Sequence, residues 1–243
     1  MTAIEVNRAV SVEEWRSYVE RYPEGLFYHL PEWKETLQQS FRRQPFYLFA
    51  RNNDGKLVEL LPLLQVNSPF TGNRLVSLPF SHTCGPIADS ESIVARLISR
   101  AQELCEDRRC RDLEIRAMRR PPMDTKVSEY FNTYTLELSD DPSAVWTKLH
   151  QKDVRWATGK VRKDGATVRI DRPIEGVSVF SRLNRGTKKY LGVPAHPLVF
   201  LENMFGRLSE QLTLCLAEVS GRAIARNSDR QLQRRHLLCV RSF

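Results

Sequence analysis

Apolar and polar positions along the chain switch between the two-residue period of a strand and the 3.6-residue period of a helix. Ser11 followed by Glu14 has the spacing of a capping box and opens a helix to about Tyr22, where Pro23 and Gly25 break it. Pro31 suits the first turn of a second helix, PEWKETLQQSF. The aromatic-rich run Pro45 to Arg51 reads as a strand, and Asn53-Asp54-Gly55 turns it back into KLVELLPLLQV, a hairpin in which Pro62 marks an edge or a bulge. Leu75 to Leu78 is a short strand, and Pro79, Gly85 and Pro86 stiffen the loop behind it. Asp89 or Ser90 caps a helix to about Cys105, and the alternation in Asp112 to Met118 and in Asn132 to Leu138 predicts two further strands.

The next stretch, Trp146 to Val168, organises the second half. At helical spacing Trp146, Val154, Ala157 and Val161 share one side, and Lys148, Lys152, Arg155, Arg162 and Lys163 share the other. Gly165 ends this helix, and Ala166 to Ile170 alternates as a strand. A helix from Glu175 to about Thr187, a loop marked by Gly192, Pro194 and Pro197, a helix from Leu198 to Gln211, and a strand from Leu212 to Val219 follow. After the Ser220-Gly221 turn a returning strand begins at Arg222 to Ala225, and the Arg-rich sequence beyond it reads as an irregular tail. The pattern predicts an α+β protein with mixed sheets in two related units, 1–140 and 141–225, and a basic tail at 226–243.

A length of 243 residues holds one large core or two small ones, and 41% hydrophobic with 27% charged residues is ordinary for a globular chain. No apolar run reaches membrane-spanning length and no leader pattern opens the sequence, so the expected location is the cytoplasm. Five cysteines without a CxxC pair and five scattered histidines exclude a zinc site or a disulfide framework as the reading, so no metal is expected. Charge changes the picture more. From Asp141 onward there are 19 Lys+Arg against 9 Asp+Glu, and 18 against 20 before it. A near-neutral first unit and a basic second unit point to an anionic partner: the phosphates of a cofactor, a nucleic acid, or an anionic membrane surface met peripherally.

Candidate chemistry is sparse. His82 and Cys84 sit two apart in a constrained loop, but nothing supplies an orienting acid, so Cys84 reads as a buried structural thiol. Glu114 and Arg116 share a strand face as a structural pair, and His150 falls on the apolar side of the basic helix, as a core histidine. No P-loop, no GxGxxG and no pyrophosphate-cradling loop of the ordinary N-acetyltransferases is present. Arg185 to Pro194 joins Lys188, Lys189 and Tyr190 to a Gly/Pro loop, a segment suited to holding an anionic substrate and covering it, and equally to a helix end whose cations complement the dipole.

Several segments in order carry a resemblance. His29-Leu30-Pro31-Glu32-Trp33 fits an H-x-P-x-W element; Leu60-Leu61-Pro62-Leu63, Leu75 to Phe80 and Cys84-Gly85-Pro86 follow; the basic helix closes on Gly165, and Leu191-Gly192-Val193-Pro194 comes after it. Over roughly residues 28–225 the chain resembles the FemAB-like proteins, a group with acetyltransferase-like (GNAT) folds. The resemblance implies tandem GNAT-like domains and transfer of an acyl or aminoacyl group to an amine, commonly in cell-envelope, peptidoglycan or exopolysaccharide biosynthesis. It implies acyl-CoA or aminoacyl-tRNA as donor co-substrate, and an anionic small molecule or envelope precursor as partner, with tRNA among the partners. Arg155, Lys160 and Gly165 match a basic element of the family, whereas Thr158-Gly159 and Val161 depart from it. The expected substrate-binding set is therefore Arg155, Lys160, Lys188, Lys189 and Tyr190, with the catalytic residues unassigned. The family's second domain continues past the point where this chain ends, so the second unit is expected to be incomplete and the chain truncated, either as an enzyme or as an inactive anion-binding remnant. Binding of nucleic acid regardless of sequence is a further reading, disfavoured by the lack of aromatic residues among the cations.

Overall fold

The computed structural model describes residues 4–6, 10–69, 71–128, 136–171, 173–232 and 235–238. Two sheets and the helices against them form the fold. The first sheet contains β1 (Ile4–Val6), β2 (Pro45–Arg51), β3 (Leu57–Ser68), β4 (Gly72–Val76), β5 (Ile87–Ala88) and β6 (Asp112–Glu114). Its order is β1-β2-β3-β4-β6, with β5 also on β3, and it is antiparallel except for the parallel β4–β6 pair. The β2–β3 hairpin turns on Gly55 at φ 76°, and Asn52 Oδ1 accepts from the backbone N–H of Asp54 and Lys56. Pro62 faces Tyr47 of β2, but β5 leaves β3 at Leu60 and β4 joins only at Leu64. The missing N–H of Pro62 thus falls where β3 has no described partner on its far side.

Alternation along β2 and β3 sends side chains to two separate cores. Phe46, Leu48, Leu61 and Leu63 pack with Leu97, Ala101 and Leu104 of α3 (Glu91–Asp107) on one face. Tyr47, Phe49, Leu60 and Leu64 pack on the other with α1 (Val12–Arg21) and α2 (Pro31–Phe41). Ser11 caps α1 by accepting from the Glu14 N–H at 3.1 Å, but the Glu14 carboxylate turns away to a two-point ion pair with Arg51, so only half of the capping box forms.

The second sheet runs β10 (Arg235–Leu238), β9 (Arg222–Leu232), β8 (Leu212–Val219), β7 (Thr167–Asp171), antiparallel throughout its described strands. Packed against one face are α6 (Pro173–Tyr190) and α7 (Leu198–Arg207). Sequence reading ends this returning strand at Ala225, whereas β9 continues through the Arg-rich stretch to Leu232 because β8 offers it a partner as far as Leu212. The strand expected at Asn132 to Leu138 lies outside the described residues up to 135, and 136–138 are not a strand.

The two halves share one core. Val177, Phe180, Phe200, Leu201, Met204, Phe205, Leu214 and Leu216 of the second half join the cluster that holds Trp15, Trp33 and Leu37 of the first. Phe200 meets the Trp33 ring at 5.9 Å and the Phe41 ring at 5.3 Å. Around this seam Arg207 bonds Glu35 at 2.8 Å and Gln39 at 2.6 Å, and Asn203 donates to Ser40 at 3.0 Å.

The helix expected from Trp146 to Asp164 is broken. It consists of α4 (Pro142–Lys148), extended Leu149 and His150, a π-helical turn over Gln151–Trp156, and α5 (Ala157–Lys163). The extended pair and the wider π turn rotate the register, so a stripe drawn at 3.6 residues does not survive. Arg155, expected outside, is half-buried, while Val154, Val161 and His150 are exposed; His150 pairs with Asp153 at 2.8 Å instead of entering a core.

Candidate functional site

Two of the segments that carried the resemblance, 29–33 and 84–86, come together in space. Phe27–His29 forms a 3-10 turn ahead of α2, and its three side chains are fully buried. Leu26 N–H donates to His29 Nδ1 at 3.0 Å, which leaves Nε2 protonated to donate to Gly85 O at 2.9 Å. One residue earlier, the Cys84 thiol points to Tyr28 O at 3.8 Å. Burial holds His29 down to about 4 and raises the Cys84 thiol well above the ordinary range. Both groups are therefore neutral struts between the 27–33 and 84–86 segments, which excludes Cys84 as an activated thiolate.

These struts fix one end of the loop from Ser77 to Pro86. Its other contacts come from the chain after β6. The Arg116 N–H donates to Ser77 Oγ at 2.8 Å, its guanidinium to Ser81 O at 3.0 Å, and Arg116 O accepts from the Cys84 N–H at 2.8 Å and from Thr83 Oγ1 at 3.1 Å. Glu114 anchors that guanidinium at 2.7 Å and reaches Arg74 at 3.3 Å, so the expected Glu114–Arg116 pair is structural and clamps the loop. The clamp sustains two left-handed non-glycine residues, Leu78 at φ 50° and Phe80 at φ 68°. Such backbone persists only where its surroundings over-determine it, and it is concentrated at binding and catalytic sites. Gly85 allows the approach: a Cβ there would sit 3.1 Å from Ala117 Cβ.

Phe80 is delivered to the seam between the halves. Its ring stacks on Phe41 at 4.6 Å and 12°, and it meets His196 at 5.5 Å and Phe200 at 5.5 Å. Phe80 keeps 40% exposure, and His82 beside it is exposed. His196 arrives from the loop between α6 and α7. The junction thus offers an aromatic wall with the His196 imidazole against it, beside a strained, tightly held loop on which His82 is exposed. Imidazole is the side chain best suited to taking and returning a proton near neutral pH. Neither histidine was singled out for this junction from sequence, because only packing brings residues 80 and 196 together.

The expected substrate-binding residues fall on two other elements. Arg155 is half-buried in the π-helical turn, and Lys160 on α5 lies over the Trp156 ring at 5.5 Å. Lys188, Lys189 and Tyr190 are in the last turn of α6, so of the two expected forms the segment takes that of a helix end with basic residues. Lys188 is buried one turn beyond Asn184 on the inner face; Lys189 and Tyr190 point outward, Tyr190 being 87% exposed. Arg226, assigned to the tail by sequence, joins this inner face: it donates to Asn184 Oδ1 at 2.6 Å and lies 4.4 Å over the Phe180 ring.

One further ionisable group has an unusual setting. Glu59 on β3 is fully buried, and neither carboxylate oxygen has a hydrogen-bond partner among the described residues. Burial pushes it up to about 7, opposed by Arg96 and reinforced by Asp89. Near Asp89, Arg21, Tyr22, Pro23 and Glu24 line an open cavity of about 440 Å³. No group of His, Cys, Asp and Glu suited to a metal ion exists among the described residues, and no described helix is long and apolar enough to cross a membrane.

No family model and no curated protein matches the sequence. Among solved structures, FemX is similar over 88% of this chain and 58% of its own, with a TM-score of 0.54 and 18% identity. A GNAT family acetyltransferase of Staphylococcus aureus subsp. aureus USA300_TCH1516 covers 55% of this chain and 98% of its own at TM-score 0.38 and 12% identity. A ribosomal-protein-alanine N-acetyltransferase from Brucella melitensis biovar Abortus 2308 covers 57% and 100%, at TM-score 0.36 and 18% identity. The expected α+β class with GNAT-like units in tandem is borne out, in the form of the FemX fold. The chain spans 58% of the FemX length.

Proposed function

We propose that the protein is a FemAB-like N-acyltransferase or aminoacyltransferase, acting on an amine of a cell-envelope or exopolysaccharide precursor in the cytoplasm. The observation that carries this reading is the fold shared with FemX over 88% of the chain. The strained loop that Arg116 and His29 hold at the seam supports it, because acyl transfer needs preorganised polar groups around the reacting carbonyl. In this reading the donor is an acyl-CoA or an aminoacyl-tRNA. The acceptor enters at the junction of Phe80 and His196, where an imidazole, of His196 or of the nearby His82, takes the proton that the amine loses as its nitrogen attacks the donor carbonyl and passes it to the departing CoA sulfur or tRNA ribose oxygen as the old acyl bond breaks. Arg155, Lys160, Lys188, Lys189 and Tyr190 serve the anionic parts of the substrates.

A non-catalytic anion-binding module is the second reading. It is favoured by the outward cations of α5, which no described carboxylate neutralises. The two are separated by incubating the purified chain with radiolabelled acetyl-CoA, longer acyl-CoAs and charged tRNA, each with an amine-bearing envelope precursor. Transfer of label that is abolished by His82→Ala or His196→Ala, with the fold intact by circular dichroism, is expected. Tight binding of these anions without transfer would leave only the binding module.

A further inference from the structure

The stretch from Trp146 to Ile170 carries seven Lys+Arg against two Asp+Glu, and its apolar residues face solvent. Trp156 is 65% exposed and Val161 46%, and Trp146 and Val154 are also exposed. On β7, Val168 and Ile170 are 71% and 70% exposed. Their partners in β8 are Ala217 and Cys215, on the sheet face opposite Leu214 and Leu216, which bury against α6 and α7. A folded chain rarely leaves this much aromatic and branched apolar surface uncovered without a partner for it.

The cations set the kind of partner. Arg169 is neutralised by Asp171 at 2.5 Å and Glu218 at 3.0 Å, but Lys148, Lys152, Lys160, Arg162 and Lys163 make no ion pair among the described residues. From Trp156, the helical residue that leads into α5, Lys160 and Lys163 follow at the i, i+4, i+7 spacing, so a tryptophan sits in line with two lysines, and Lys160 already lies over its ring. Indole at the level of lipid headgroups, lysines reaching for phosphates, and short branched residues just below are the makings of an interfacial membrane contact. A nucleic acid would use the lysines and the indoles but would leave Val161, Val168 and Ile170 in water.

We propose that residues 146–170 are a docking surface for an anionic phospholipid bilayer, with Trp146, Trp156, Val161, Val168 and Ile170 entering the interface and the four lysines and Arg162 named above holding headgroup phosphates. The proposal stands whether or not the chain transfers acyl groups.

The tryptophans provide the assay. Trp15 and Trp33 are buried in the core, at 4% and 0% exposure, so a spectral change on binding reports on Trp146 and Trp156. The full chain is titrated with vesicles of phosphatidylcholine alone and of equimolar phosphatidylcholine and phosphatidylglycerol. The expected result is cosedimentation with the anionic vesicles only, a blue shift in emission, and release by salt. The double variants K160E/K163E and W156S/V161S should each bind about tenfold more weakly or worse, with unchanged circular dichroism. Equal binding to neutral vesicles, or variants that bind like the parent, would overturn the proposal. So would two other outcomes: loss of vesicle binding in the presence of poly(A) with tight binding of that RNA, or sedimentation of the free chain as a dimer that W156S/V161S dissociates.

Discussion

His29 and Gly85 are 56 residues apart in sequence and 2.9 Å apart across a hydrogen bond in which the ring Nε2–H donates to the carbonyl. Because Leu26 N–H fills Nδ1, the ring has no site left for a second proton without breaking that arrangement. The bond ties the turn before α2 to the loop that carries Phe80.

Acid should loosen this tie. The ring is held down to about 4, against 6.5 for an ordinary histidine, so the unfolded chain takes up a proton that the folded chain refuses. The stabilisation is complete above pH 6.5 and is lost as pH falls towards 4, a change of roughly 3 kcal/mol. Urea unfolding at a series of pH values should show that loss, and His29→Gln should flatten the profile between those limits while lowering stability at pH 7.

Glu59 has the opposite slope. Its carboxyl is raised to about 7, so burial tolerates the protonated form and penalises the charged one. Folding is helped below the ordinary carboxylate range, and that help is lost as pH rises through 7. Glu59→Gln should therefore stabilise the protein at pH 8, by up to about 3 kcal/mol, and change little at pH 5. Equal melting temperatures for the two proteins at pH 8 would mean that the carboxylate is hydrated.

The shared core makes the two halves melt together. Phe200 is 2% exposed and touches the rings of Trp33 and Phe41 on α2 and of Phe80 on the loop, so Phe200→Ala should cost about 3 to 5 kcal/mol. A single calorimetric transition, moved down as a whole, is the expected outcome. Two transitions, only one of them shifted, would show that residues 1–140 fold independently.

Cys84 should be inert. It is fully buried, and its thiol is raised by that burial. Mass spectrometry after short exposure of the native protein to iodoacetamide should find Cys110 and Cys215, which are partly exposed, modified well before Cys84.

Much of the fold was legible because local signals agreed with packing. Pro31 begins α2, Asn53-Asp54-Gly55 turns the first hairpin, and the alternation from Leu212 to Val219 is β8. Where packing decides, the sequence misled. The run from Trp146 to Val161 has an apolar stripe, but extended Leu149 and His150 and the π turn after them break its period, and no core receives it. The arginines of β9 suggested a solvated tail, yet a neighbouring strand was enough to order their backbone, and Arg226 found Asn184 and Phe180. The junction was illegible for a different reason. The rings that meet there belong to residues 80 and 196, which no periodicity connects; the H-x-P-x-W and C-G-P segments that drew notice hold the loop that carries one of them.

Phe200 lies in van der Waals range of Phe41, Phe80 and His196 at once, so α7 cannot translate without moving the ring on the left-handed loop. Any shift of α7 is in this way handed to the first half through one phenyl ring, with no hinge between them.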